Sequence, residues 1–187
     1  MTTRNGNYSA FYVAEPFSET ALGAHMAKDF RYYNLLKTWK GGDATFPFID
    51  SHAKTYSVRD NSDWETTLKP RLRERLRASK NIVLFLSDVT INSRALREEI
   101  EYGIDDQGLP VIVIYPDYDS KEQLLSNGKL KQDIKDLWGK VPAFKTHMSK
   151  VPTLHVPLSK SIISAALKDQ DFMLSTKAKA DCYHYKL

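Results

Sequence analysis

Cysteine is almost absent from this chain of 187 residues: Cys182 stands alone, so no disulfide framework and no cysteine-built metal site can form within it. The five histidines, His25, His52, His147, His155 and His184, fall at no metal-ligand spacing. The one glycine pair, Gly41-Gly42, precedes a strand pattern rather than a helix, so it does not read as a phosphate-cradling loop. Long apolar runs are also missing. The longest, Ile82–Leu86 and Leu109–Tyr115, are too short to cross a bilayer. The opening "MTTRNGNYSA" has no apolar stretch of the kind a signal peptide needs. These absences lead us to expect a cytoplasmic protein with no metal, no cofactor and no membrane-embedded part.

What is present suits one globular domain: 42% hydrophobic residues can build a sizeable core, and 27% charged residues can cover it. Net charge is +4, and the basic excess lies in "KPRLRERLRASK", Lys69 to Lys80. Leu68, Leu72 and Leu76 recur there at four-residue spacing, which predicts an amphipathic helix with a solvated basic face. No nucleic-acid-reading motif accompanies it, so we expect no nucleic-acid partner.

Short apolar runs alternate with helical patterns along the chain, the mark of a parallel sheet wrapped by helices. "YSAFYVA" (Tyr8–Ala14) reads as a first strand. "HMAKDFRYYNLLKTWK" reads as a helix stopped at Gly41-Gly42, in which Tyr32, Tyr33 and Trp39 are expected to pack rather than to bind. "TFPFID" reads as a second strand, kept at an edge by Pro47. Ser62 and Glu65 form a capping-box pattern, and Pro70 predicts a kink or restart in the helix that follows. "NIVLFLS" and "LPVIVIY" read as central strands, Lys121–Trp138 as one helix, "TLHVPL" as a last strand and Ser159–Leu167 as a last helix. The expected division is a domain over residues 1–170 and a tail over 171–187. In such a sheet ligands sit beyond the carboxyl ends of the strands, which points to the loops after Ala14, Asp50 and Ser87.

The stretch "INSRALREEIEYGI" holds three glutamates within four residues, Glu98, Glu99 and Glu101. Asn92 can cap the helix, and Ile91 can staple onto Leu96. With Leu96 as the origin of a helical wheel, Ile100 and Ile104 fall at roughly +40° and +80°, while Glu98 and Glu101 lie about 160° and 140° away, toward water. Glu99 falls at roughly −60°, on the flank of the apolar face, with Gly103 expected to leave open space one turn on. Two readings remain: a functional carboxylate, or an acid favoured by the helix dipole near an N-terminus.

The residues "NIVLFLSDVTINSRALREEIEYGI" resemble the third strand and following helix of TIR and TIR-like domains: an apolar strand, a serine, then Ser-Arg-x-x-x-x-Glu-apolar, with Glu99 on the family glutamate. "FPFIDSH" is similar to the family's Asp-Ser strand end and "GLPVIVIYPD" to its fourth strand, so the likeness spans roughly Tyr8 to Asp119. It comes nearest to the TIR-like branch of bacterial Thoeris anti-phage systems. Two departures stand out: Val13-Ala14 where the family often ends its first strand in Ser and an aromatic, and Ala95 where it often has Trp.

The resemblance implies a flavodoxin-like three-layer α/β sandwich of about five parallel strands in the order 2-1-3-4-5. It further implies an enzyme of NAD+ nucleosidase or ADP-ribosyl cyclase type, with Glu99 catalytic. NAD+ contacts would come from Tyr12, Ala14, Phe17, Asp50, Ser51, Ser87 and Asn92. NAD+ would be substrate rather than cofactor, and the product, an ADP-ribose derivative or cyclic isomer, would be read by a separate effector. A phage-derived trigger and self-association through TIR surfaces are implied alongside. One carboxylate suffices for that chemistry, because nicotinamide leaves readily and an oxocarbenium-like ribose needs a nearby negative charge.

Each polar candidate also has a plainer reading: Asp50-Ser51-His52 as a turn, Asn92 as a cap. As a whole, the chain could instead be a non-catalytic TIR scaffold. A deoxyribosyltransferase-like enzyme would carry Gly-Thr shortly before its glutamate, where this chain has Ser93-Arg94-Ala95. A phosphate-accepting receiver domain would need an acidic cluster after the first strand, where only Glu15 stands.

Overall fold

A computed structural model describes residues 4–11, 27–52 and 63–185, with side chains from residue 30 onward in the second of these segments. Five strands form one all-parallel sheet in the order β1 (Gly6–Ala10), β2 (Ser79–Phe85), β3 (Val111–Tyr115), β6 (Thr153–Pro157) and β7 (Cys182–His184). Between β3 and β6 the chain makes a small antiparallel ladder of β4 (Leu125–Ser126) and β5 (Lys129–Leu130). Helices cover both faces. On one side α2 (Lys69–Arg77), α3 (Arg94–Glu101) and α6 (Pro142–His147) bury Leu72, Leu76, Leu96, Ile100 and Phe144 against Tyr8, Leu84 and Val113. On the other, α1 (Ala27–Gly42) and α7 (Lys160–Lys168) bury Tyr32, Tyr33, Leu36 and Ile163 against Val83, Phe85 and Ile112. This is the expected flavodoxin-like sandwich: the β-branched runs of β2 and β3 are buried along their length because both faces are covered.

The expected strand over Thr45–Asp50 shrinks to a single bridge, Asp50 to Asn7, on the free side of β1. Phe46 and Phe48 are buried beside α1, so the segment anchors through side chains rather than through a ladder. Its edge position is as Pro47 requires. The fifth strand comes instead from the tail, where residues 182–184 pair with β6.

The expected helix over Lys121–Trp138 is also broken. Asn127 and Gly128 both take positive φ, 52° and 70°, and form the tight turn between β4 and β5. The helix therefore splits into α4 (Lys121–Leu124) and α5 (Gln132–Leu137).

Caps differ from expectation in two places. Asp63, not Ser62, caps the turn Trp64–Leu68, accepting from Thr66 N; Ser62 lies outside the described residues. That wide turn passes into α2 with Pro70 at its start, the restart that Pro70 predicted. At α3 the cap is Ser93, whose Oγ accepts from Leu96 N at 3.1 Å. Asn92 is exposed, and Ile91 stays 56% exposed instead of stapling onto Leu96. Serine at 93 holds the cap geometry, which moves the helix start one residue on.

Two polar ties cross the interior. Asn7 Nδ2 donates to Asn81 Oδ1 (2.8 Å), and Asn81 Nδ2 donates to the carbonyl of Phe172 (2.9 Å). Near β6, Trp138 Nε1 donates to Tyr115 Oη (2.8 Å), which lies 2.7 Å from His155 Nδ1; His155 Nε2 in turn lies 3.1 Å from Thr153 Oγ1. Burial pushes the His155 imidazole down to about 3, so it is neutral and can bond on both sides. Among the described residues no helix is long and apolar enough to cross a membrane.

Candidate functional site

Helix α3 starts at the carboxyl end of β2 and runs back across β1 and β2. Leu96 and Ile100 are fully buried beneath it, and Glu99 stands beside them, over β1. Tyr8, in the middle of β1, meets it: the phenol donates to Glu99 Oε1 at 2.9 Å. Glu99 as a residue is half-buried, yet its Oε2 is sealed from solvent and, among the described residues, has no hydrogen-bond partner. A carboxyl without water around it resists ionisation. Burial accordingly pushes Glu99 up to about 8, against the Tyr8 hydrogen bond and the Arg75 charge, which both pull it down. At neutral pH its resting form is mostly protonated.

The wheel's separation of the three glutamates holds for Glu99, which turns inward, but not for Glu98. Glu98 does not face open water. It binds Arg73 through Nε and Nη2, both at 2.6 Å, with Lys69 at 3.8 Å, and its side chain is 15% exposed. Arg73 also lies over the Tyr102 ring at 4.5 Å, and Arg77 donates to the Tyr102 hydroxyl. The arginines of α2 are thus held in place rather than forming a free basic face. Gly103 leaves no open space either: a Cβ there would meet Ile82 Cδ1 at 2.5 Å.

Polar and aromatic groups from β1, α1, α2 and the turn after Asp50 pack around Tyr8 and Glu99. The His52 ring packs at 4.7 Å from the Tyr8 ring; its Nε2 lies 3.1 Å from the Ser9 carbonyl and its Nδ1 3.3 Å from Arg75 Nη1. Burial first, then the Arg75 charge, hold His52 down to about 4, so it is neutral. Asp50 accepts from the Tyr33 hydroxyl (2.6 Å) and from the backbone N–H of His52 (2.9 Å), which fixes the turn that presents His52. Phe11 stacks on Tyr33 at 5.3 Å and continues this aromatic wall beyond β1.

The expected NAD+ contacts separate under this geometry. Asp50 belongs to the wall through Tyr33 and His52. The Ser51 hydroxyl is committed to structure: it donates to the Asn7 carbonyl (2.7 Å) and accepts from Ser79 (3.0 Å), at the start of the strands rather than at their ends. Ser87 is buried in a tight turn in which its N–H donates to Thr90 Oγ1. Asn92 is exposed ahead of α3. Tyr12, Ala14 and Phe17 lie outside the described residues.

Sequence reasoning passed over Tyr8 and Arg75. The signal for Tyr8 was present: a tyrosine inside an apolar strand needs a partner for its hydroxyl once buried. Arg75 sat within the basic run and looked like one more solvated charge.

A five-stranded parallel sheet of this order, with an acid carried inward on the helix after β2, is a flavodoxin-like α/β architecture consistent with a TIR-like domain. Residues 8–121 match the family described as "Thoeris protein ThsB, TIR-like domain". The chain belongs to that family, the TIR-like proteins of the Thoeris defence system.

Proposed function

We propose that this protein cleaves NAD+ at the bond between nicotinamide and ribose, with Glu99 as the carboxylate beneath the reacting sugar. The observation that carries the reading is Glu99 Oε2, a buried carboxyl oxygen on a helix flank with no hydrogen-bond partner among the described residues. A group left unsatisfied in this way costs stability, and such costs gather where chemistry is done. The C1′–N1 bond breaks with its electron pair passing to nicotinamide, and the ribose is left with oxocarbenium character. An ionised Glu99 stabilises that cation and orders the ribose hydroxyls. Water, or a nucleophile within the ADP-ribose itself, then closes on C1′, with its proton passing to the carboxylate. Loss of the Glu99 proton is therefore required before turnover, and the Arg75 charge favours it.

On this reading the product is an ADP-ribose derivative, most simply a cyclic isomer, that diffuses to a separate effector. The neutral resting state of Glu99 predicts low activity until a phage-derived trigger or self-assembly remodels the site. The same neutrality favours one rival, a TIR scaffold in which Tyr8 and Glu99 only hold α3 to β1. The deciding experiment is mass spectrometry of the purified protein with NAD+, wild type beside Glu99→Gln, repeated in lysate from phage-infected cells. Nicotinamide from the wild type alone supports the enzyme; silence in both settings supports the scaffold.

A further inference from the structure

We propose that Tyr8 is the positioning residue of Glu99: its hydroxyl occupies Oε1, fixes the carboxyl orientation and leaves Oε2 as the oxygen that serves the reaction once the site opens. The inference rests on the reading of Glu99 as the NAD+-cleaving carboxylate.

Three observations carry it. First, Tyr8 is 1% exposed and its ring is already at home in the core with Leu84 and Leu96. A phenylalanine would fill the same space, so the hydroxyl is there for its partner, and that partner stands 91 residues along the chain. Second, the bond is directional. Burial and the adjoining carboxyl push the Tyr8 phenol well above its usual range, so Tyr8 keeps its proton and remains the donor whether or not Glu99 is ionised. A hydrogen bond from a neutral phenol strengthens when its acceptor becomes an anion, so the contact favours the form of Glu99 that turnover needs. Third, the donor cannot swing away. The His52 ring lies 4.7 Å from the Tyr8 ring and is itself held by the Ser9 carbonyl and by Arg75. With Oε1 held, the carboxyl cannot rotate to exchange its oxygens without breaking that bond.

The test follows the Glu99 proton directly. In the full chain, labelled with carbon-13 at the glutamate carboxyls, the Glu99 signal is the one absent from Glu99→Gln. Its titration midpoint is compared in wild type, in Tyr8→Phe and in a protein with 3-fluorotyrosine placed at position 8. Tyr8→Phe is expected to raise the midpoint by about one pH unit, the size of a hydrogen bond to a charged group. The more acidic fluorophenol is expected to lower it. NAD+ cleavage is expected to follow, with kcat in Tyr8→Phe down about tenfold at neutral pH, recovering at higher pH, and KM little changed. A midpoint unmoved by both changes overturns the proposal. Should the midpoint move while no protein releases nicotinamide, the enzyme reading fails and the Tyr8–Glu99 coupling stands. Should wild type cleave NAD+ while the midpoint stays fixed, the reverse holds.

Discussion

The Tyr8 hydroxyl and Glu99 Oε1, 2.9 Å apart, join the first strand of the sheet to the helix that leaves its second. The contact places one oxygen of a buried acid and leaves the other without a partner among the described residues. Much of what can be measured on this protein follows from that asymmetry.

Replacing Glu99 by Gln keeps the volume and removes the charge. Cleavage of NAD+ is expected to fall at least about 100-fold, as when a principal electrostatic stabiliser is lost. Stability is expected to rise. The folded carboxyl sits at about 8, well above its unfolded value of 4.5, so the stability tied to its protonated form is fully present below the unfolded value, is lost progressively as pH rises toward 8, and changes little above that. At pH 7 the strain carried by Glu99 is on the order of 3 kcal/mol as an upper figure. Thermal melting of the variant and wild type from pH 4 to 9 checks both magnitude and sign, the variant's advantage growing between about pH 4.5 and 8; a lower melting temperature for the variant at pH 7–9 would count against a buried, reluctant acid.

The rate itself should climb with pH. If ionised Glu99 is the working form, the acid limb of kcat/KM for the free enzyme is expected near pH 8, far above an ordinary glutamate. A limb near pH 4 to 5 would mean that Glu99 is already ionised at rest.

Glu98 and Glu101 separate on stability rather than on catalysis. Glu98→Gln breaks the Arg73 and Lys69 pairs and is expected to cost about 0.5–1 kcal/mol, with NAD+ cleavage unchanged. Glu101→Gln, half-exposed, is expected to change neither. Denaturant titrations with activity assays on both variants decide this; equal losses of activity in all three glutamate variants would remove Glu99 from its assigned place.

The buried imidazoles act in the opposite pH direction to Glu99. His52 and His155 are held down to about 4 and about 3, so their neutral forms stabilise the fold above the unfolded histidine value, and that contribution is lost as pH falls through the acid range. Melting temperature is expected to drop between about pH 6.5 and pH 4, and His155→Gln is expected to flatten that drop while lowering stability at pH 7.

Gly103→Ala is expected to destabilise by about 1–3 kcal/mol, because the added methyl overlaps the fully buried Ile82 side chain. A neutral result in a denaturant titration would show that Ile82 has another rotamer available.

The layers of this fold were legible because burial on both faces writes itself as unbroken apolar runs, as in Ile82–Leu86 and Val111–Tyr115. Glu99 was legible because a helix has a fixed angular step. The errors arose where a single polar contact outweighed a pattern. Ser93 rather than Asn92 took the cap, and Asn127-Gly128 folded a helical-looking stretch into a turn. Arg73 bent Glu98 away from water, and a short tail segment with little apolar character, Cys182–His184, found an unpaired edge on β6. Partners 25 or more residues distant leave no local trace. Tyr8 became meaningful only once the chain had brought Glu99 to it.

The tail also sets a schedule for synthesis. β6 lacks its outer neighbour until residues 182–184 have been made, and Asn81 lacks its carbonyl partner until Phe172 has. A nascent chain that has already formed β1 through β3 therefore carries an open, apolar sheet edge while translation continues. Until residues 182–184 arrive, that edge is open to misassembly, and slowing translation between β6 and this segment should lengthen the risk.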